Sequence, residues 1–204
     1  MAPSFKINKA RTFKLINIGA TNVGKSSILL KYTRNEFSES ISNTVGIDNI
    51  YKEIIIENEP VVLQLWDTAG QERFESIVKS YFRGVDGFLF VFDLSDNRTY
   101  EYIKEKIKAT KAENKDVKFG VIVGNKMDLL DEDEIEIYKK RLERLSVENG
   151  YKYYLTSAKT GENIAGMFEE FAEEIYRERK VNAEQKEIEK KMELSKKNSR
   201  RGCC

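Results

Sequence analysis

Gly19-Ala20-Thr21-Asn22-Val23-Gly24-Lys25-Ser26 decides how the rest of this chain is read. An apolar run, residues 13–18, precedes it and is expected to be a short buried strand. Residues 25–33 follow it directly and are expected to form a helix. Strand, glycine-bearing turn and Gly-Lys-Ser at a helix start make up the G-x-x-x-x-G-K-[ST] pattern of a phosphate-binding loop. Gly19 and Gly24 permit backbone angles and a closeness of approach that a side chain would block. The turn aims several N–H groups inward as an anion-binding nest, and the helix N-terminus adds partial positive charge. Lys25 supplies a full charge for the outer phosphates, and the Ser26 hydroxyl can ligate Mg²⁺. Ala20, Thr21, Asn22, Val23 and Ser27 complete the loop expected to surround the phosphates.

Alternating strand and helix patterns run outward from this loop to about residue 180. Strands are expected over 12–18, 49–57, 61–66, 88–92, 119–123 and 151–155. Glu57-Asn58-Glu59-Pro60 is the turn of a hairpin between the second and third strands. Residues 88–92 are apolar throughout, as a central strand covered on both faces should be. Helices are expected over 99–113, 133–148 and 163–179 as well, the second stopped by Gly150 in a left-handed cap. This order implies an α/β fold: a doubly wound, mostly parallel six-stranded sheet with helices on both faces. Ligands of such sheets sit at the carboxyl ends of the strands. Residues 1–11 read as an N-terminal extension, 12–180 as the folded domain and 181–204 as a flexible tail.

Composition narrows the function classes. With 204 residues and 40% hydrophobic content, one domain can bury a sizeable core. Lys and Arg number 35 against 34 acidic residues, so no net field recruits nucleic acid. No stretch approaches the roughly 20 apolar residues of a membrane-spanning helix. Met1-Ala2-Pro3-Ser4 carries neither an apolar signal core nor the glycine of N-myristoylation. Cys203 and Cys204 are the two cysteines, an arrangement that fits a reducing cytosolic setting. The absence of histidine excludes Ser-His-Asp and Cys-His nucleophilic machinery. From 177 to 204 the chain holds ten Lys/Arg against five Glu, and no acid follows Glu193.

Two further constellations carry chemistry. Asp67-Thr68-Ala69-Gly70-Gln71 follows the strand 61–66, where an acid beside the phosphate loop is the second carboxylate-side ligand for Mg²⁺. Gly70 offers its N–H to a terminal phosphate, and Gln71 can orient water. Asn125-Lys126-Met127-Asp128 sits past the strand 119–123. A buried carboxylate there accepts two hydrogen bonds from guanine's N1–H and exocyclic amine, which adenine cannot supply. Ser157-Ala158-Lys159 forms a second base-side loop, whose Ala158 N–H is placed to meet the guanine carbonyl.

These motifs, in this order, resemble those of the Ras superfamily of small GTPases, and specifically of the Rab family. The resemblance covers residues 12–180 and the last two residues. Its Rab-like stretches are Thr44-Val45-Gly46-Ile47-Asp48, Leu63 through Phe74, Tyr81-Phe82-Arg83-Gly84 and Phe90-Val91-Phe92-Asp93. It implies that Thr44 binds Mg²⁺ and the γ-phosphate from switch I, and that Phe37 packs edge-on against guanine. Lys126 and Lys159 would lay their stems on the base faces. Gln71, Lys25 and Thr44 would carry hydrolysis of GTP to GDP, with nucleotide contacts also from Asn125, Asp128, Ser157 and Ala158. The metal set would be Ser26, Thr44 and Asp67.

The same resemblance implies a monomeric switch with an exchange factor, a GTPase-activating protein and effectors that read switches I and II. Cys203-Cys204 resembles a double-prenylation site on a hypervariable tail, served by prenylation and membrane-extraction machinery. That places the protein on the cytoplasmic face of intracellular membranes, with a cytosolic pool, in vesicle traffic. Three departures stand out: Thr21 and Asn22 where relatives keep small residues, Asn49 in place of a phenylalanine that packs with Trp66 and Tyr81, and Lys106 for a large aromatic. The first two motivate an alternative, a nucleotide-gated binding module with negligible hydrolysis.

Overall fold

The computed structural model describes residues 11–39, 47–68, 81–114 and 117–201, with side chains through Lys191. Expectations that fall on Thr44, Gly70, Gln71, Cys203 and Cys204 therefore lie outside the described residues.

The elements in chain order are β1 (Thr12–Ile18), α1 (Lys25–Arg34), β2 (Ile47–Ile56), β3 (Glu59–Thr68), β4 (Gly87–Asp93) and α2 (Asn97–Glu113). Then come β5 (Phe119–Asn125), a 3-10 turn (Met127–Leu129), α3 (Glu132–Asn149), β6 (Lys152–Leu155) and α4 (Ile164–Arg201). Among the described residues the strands form one six-stranded sheet in the order β2-β3-β1-β4-β5-β6. Only β2 runs antiparallel, against β3; the other neighbours are parallel. The doubly wound architecture expected from the strand-helix alternation is the one observed.

Apolar runs along the central strands still alternate by face, because successive side chains point to opposite sides of a sheet. Phe13, Leu15, Leu89, Val91, Val121 and Val123 pack with Ile28 and Leu29 of α1 and with Phe168 and Phe171 of α4. Ile16, Ile18, Phe88, Phe90, Phe92 and Ile122 pack with Ile103 and Ile107 of α2 and with Leu142 and Leu145 of α3. Two cores thus hold the sheet between helix pairs, with the strand ends left to build the site.

Several element boundaries shift, most by a residue or two, and three of the shifts have a clear local cause. The hairpin turn is only Glu57-Asn58, both left-handed (φ 50° and 62°), and the ladder runs from Ile56 opposite Glu59 to Ile47 opposite Thr68. Pro60 does not break β3 because it lies at the start of a strand, where proline is tolerated. Helix α2 starts two residues early, since the Asp96 carboxylate caps it by accepting from the Arg98 N–H at 3.0 Å. Helix α4 continues past the expected end at 179 to Arg201. No glycine or proline interrupts residues 167–201, and Glu187 pairs with Lys191 one turn on at 3.0 Å. Its core-facing part ends at Ile175; Val181 and Ile188 are exposed. Gly150 does cap α3 at φ 69°.

Candidate nucleotide-binding site

The carboxyl ends of β1, β3, β4 and β5 converge on the loop 19–24. Two of its glycines are there for want of room: a Cβ on Gly19 would lie 2.2 Å from the Val91 carbonyl oxygen, and one on Gly24 would lie 2.3 Å from Asn125 Nδ2. Gly24 is also left-handed at φ 92°, and Asn22 at φ 64° is the non-glycine the loop holds in that region. Helix α1 then starts at Lys25, which is 5% exposed. Its ammonium donates to the carbonyls of Gly19 (3.0 Å) and Ala20 (2.8 Å), so the side chain curls back over the loop. Burial lowers its pKa to about 8, and the Asp67 carboxylate offsets part of that. An anion in the loop would favour the charged form and raise that pKa again.

Ser26 Oγ donates to Asp67 Oδ2 at 2.5 Å, which brings two of the three expected Mg²⁺ ligands together across α1 and β3. A hydroxyl and a carboxylate, both hard oxygen donors, fit a small cation that keeps water and phosphate in its remaining positions. Asp67 is held in place from behind: Thr68 Oγ1 donates to the Asn17 carbonyl at 2.6 Å, and Asn17 Nδ2 reaches the Lys25 carbonyl at 3.5 Å.

At the base end, Asn125 is the clamp. It is 1% exposed, its Nδ2 donates to the Val23 carbonyl at 2.9 Å, and its Oδ1 accepts from the Ala158 N–H at 3.1 Å. One amide thus ties the phosphate loop to both base-side loops. The Ala158 N–H expected to meet guanine is directed at Asn125 here. Thr156 N donates to the Gly124 carbonyl (2.7 Å) and Met127 N to the Thr156 carbonyl (3.0 Å), which locks the two loops side by side. Ser157 Oγ donates to Asp128 Oδ1 at 2.5 Å. Asp128 is exposed rather than buried as expected, because it stands on the 3-10 turn at the mouth of the site. Lys126 pairs with Asp93, and Lys159 with Glu39 at 3.6 Å. Phe37 is exposed on the segment that leaves α1.

Sequence reasoning gave no role to Asn17, Thr68, Asp93 and Thr156, all buried and all at strand ends around the loop. The signal was available: each is a small polar residue that interrupts or closes an apolar strand. Trp66 and Tyr81 lie against each other, with ring centroids 5.0 Å apart. Asn49 pairs with Trp66 across β2 and β3, so the departure sits where expected.

A sequence model of the Ras family matches residues 14–177. Ras-related protein Rab-13 of Bos taurus is 34% identical over 163 residues, 80% of this chain and 79% of its own length. Ras-related protein RABE1e of Arabidopsis thaliana is 36% identical over 79% of this chain and 74% of its own. Human Ras-related protein Rab-8B is 34% identical over 80% and 78%. The chain belongs to the Ras family, in its Rab branch. It is thus a GTP-hydrolysing small GTPase, a class that binds guanine nucleotide and Mg²⁺. Among the described residues of this Rab-family chain, no helix is long and apolar enough to cross a membrane.

Proposed function

We propose that this chain is a Rab-type switch that binds GTP or GDP with Mg²⁺ and hydrolyses GTP slowly to time the recruitment of effectors in vesicle traffic. The observation that carries the reading is the buried Lys25 ammonium, folded over two loop carbonyls beside the Ser26–Asp67 pair. A partly desolvated cation at a helix start is matched by an oxyanion, and the adjacent oxygen pair fits the ion that travels with a triphosphate.

In the reaction, Gln71 orients water in line with the γ-phosphate and Lys25 draws off the charge that develops on it. When bound, Mg²⁺ supplies further neutralisation of the phosphate oxygens, held by Ser26, Asp67 and Thr44. The γ-phosphate contacts of Thr44 and Gly70 end on hydrolysis, and both switch segments are released. The scale of the intrinsic rate is that of Ras, about 10⁻⁴ per second, and an external arginine raises it about 10⁵-fold. An exchange factor, a GTPase-activating protein and effectors therefore set the cycle. Residues 181–204 act as the arm that carries two prenyl groups on Cys203 and Cys204. Two anchors hold a membrane where one binds reversibly, and Lys196, Lys197, Arg200 and Arg201 each add about 1 kcal/mol on anionic lipid. The working place is the cytoplasmic face of an intracellular membrane, with a monomeric cytosolic pool.

Thr21, Asn22 and Asn49 favour a second reading, a nucleotide-gated module that barely hydrolyses. Single-turnover phosphate release from GTP-loaded protein separates the two. Gln71→Leu should leave GDP affinity near wild type and suppress release at least tenfold. Unchanged turnover removes Gln71 from its role, and background turnover in the wild type with an activating protein present establishes the module.

A further inference from the structure

We propose that Asp93 is a positioning residue for the base-side half of the nucleotide site, fixing the Lys126 side chain in the orientation that covers one face of guanine. This rests on the guanine reading above.

The geometry separates a rigid partner from a mobile one. Asp93 is the last residue of β4, paired in register with Asn125, so the sheet itself delivers its carboxylate beside Lys126. Its Oδ1 accepts from the Ser95 N–H (2.9 Å) and the Ser95 hydroxyl (2.7 Å). Its main-chain N–H donates to Thr99 Oγ1 at 3.0 Å. With these bonds the carboxylate has one orientation, and Oδ2 receives Lys126 Nζ at 2.5 Å. The carboxylate is only 10% exposed, against 33% for the Lys126 side chain. Lys126 is the mobile member: a four-carbon stem carries much rotamer freedom, and its left-handed backbone (φ 67°) projects the stem from the turn between β5 and the 3-10 segment. A fixed acid at the tip of that stem converts a roaming side chain into a preformed wall, so less ordering is left for the moment of binding. Lys159 on the other base-side loop has no such hold, since its partner Glu39 is 3.6 Å away and both are exposed.

The two carboxylate oxygens allow the roles to be parted. Asp93→Asn keeps an Oδ1 acceptor for Ser95 and so keeps the turn, but it removes the charge and the Oδ2 acceptor that hold Lys126. The test is release of N-methylanthraniloyl-GDP from the full chain in Mg²⁺ buffer, for wild type, Asp93→Asn, Lys126→Met and the double variant. Asp93→Asn should release about tenfold faster, the scale of one lost hydrogen bond to a charged group. The double variant should release no faster than Lys126→Met alone. Competition by tripolyphosphate, which has no base, should stay within twofold of wild type in Asp93→Asn. A merely structural role would weaken tripolyphosphate equally and would multiply with Lys126→Met; either result overturns the proposal, as does unchanged GDP release. If Asp93→Asn does not fold, Asp93→Ser, which keeps a small acceptor near Ser95, makes the same comparison with the same outcomes. A wild type that takes up tripolyphosphate without preferring GDP to ADP overturns the guanine reading and this proposal together. Selective wild-type binding with a silent Asp93→Asn overturns the proposal alone.

Discussion

In the proposed reading the phosphate chemistry turns on Lys25, and its environment makes a pH prediction. Burial holds its pKa near 8, below the ordinary lysine value, because the charged form is poorly solvated against the loop. Bound phosphate favours the charged form, so the pKa rises in the complex. Below about pH 8 the amine is protonated in both states and affinity is flat. Above it, binding must take up a proton, and affinity falls with a slope of up to about tenfold per pH unit. Fluorescent-GDP titration in EDTA, where only the protein's own groups face the phosphates, should show that decline between pH 8 and 9.5. A flat profile contradicts the burial argument. Asn125 makes a second prediction at this scale. Asn125→Ala strands the Val23 carbonyl and the Ala158 N–H, two buried groups worth about 1–3 kcal/mol each. Thermal unfolding should drop by roughly 5–15 °C on the usual scaling for a domain of this size. The strand, turn and helix around the loop 19–24 were legible in the sequence because their signal is local. The clamp was not, because its two partners lie 102 and 33 residues away and meet only once the sheet has formed. Asp128 was misplaced in burial for a related reason: a motif gives residue types, whereas exposure depends on what covers the turn.

Elements were legible where periodicity or punctuation was strong. The central strands β4 and β5 read as continuous apolar runs, and Gly150 marked the end of α3. The edge strand β2 was harder, since one face meets solvent and its pattern is blurred. Pro60 then drew the turn two residues too far. The observed two-residue turn has Glu57 and Asn58 both left-handed, the geometry that Asn-Gly fits best. Left-handed backbone costs a residue with a side chain about 1 kcal/mol or more. Glu57 also pairs with Lys180 at 2.6 Å, but both are about half exposed, so that pair contributes little. Replacing Glu57-Asn58 by Asn-Gly should therefore raise the unfolding midpoint by about 2–4 °C. A lower midpoint would show that the Lys180 pair outweighs the turn strain. The extension of α4 escaped sequence reading because charge-rich composition signals solvation, and a solvated segment of good helix formers can still be helical.

Across the whole molecule, function is placed by topology. A parallel sheet with helices on both faces leaves its carboxyl-end loops as the surface that neither core covers, and the five strand-end residues Asn17, Thr68, Asp93, Asn125 and Thr156 stitch those loops into one cradle. In the proposed reading the phosphates meet the loop at the β1 and β3 ends and the base meets the loops at the β5 and β6 ends, so a nucleotide would lie lengthwise across the centre of the sheet. The measurement that bears most directly on this arrangement is saturable uptake of fluorescent GDP by the purified chain in Mg²⁺ buffer, with competition by unlabelled nucleotides. One nucleotide per chain should bind, displaced by GDP and GTP but not by a thousandfold excess of ADP or ATP, since a donor-acceptor match of this kind discriminates by about 10⁴ or more. No saturable uptake, or displacement by ATP at concentrations where GTP competes, would contradict the account.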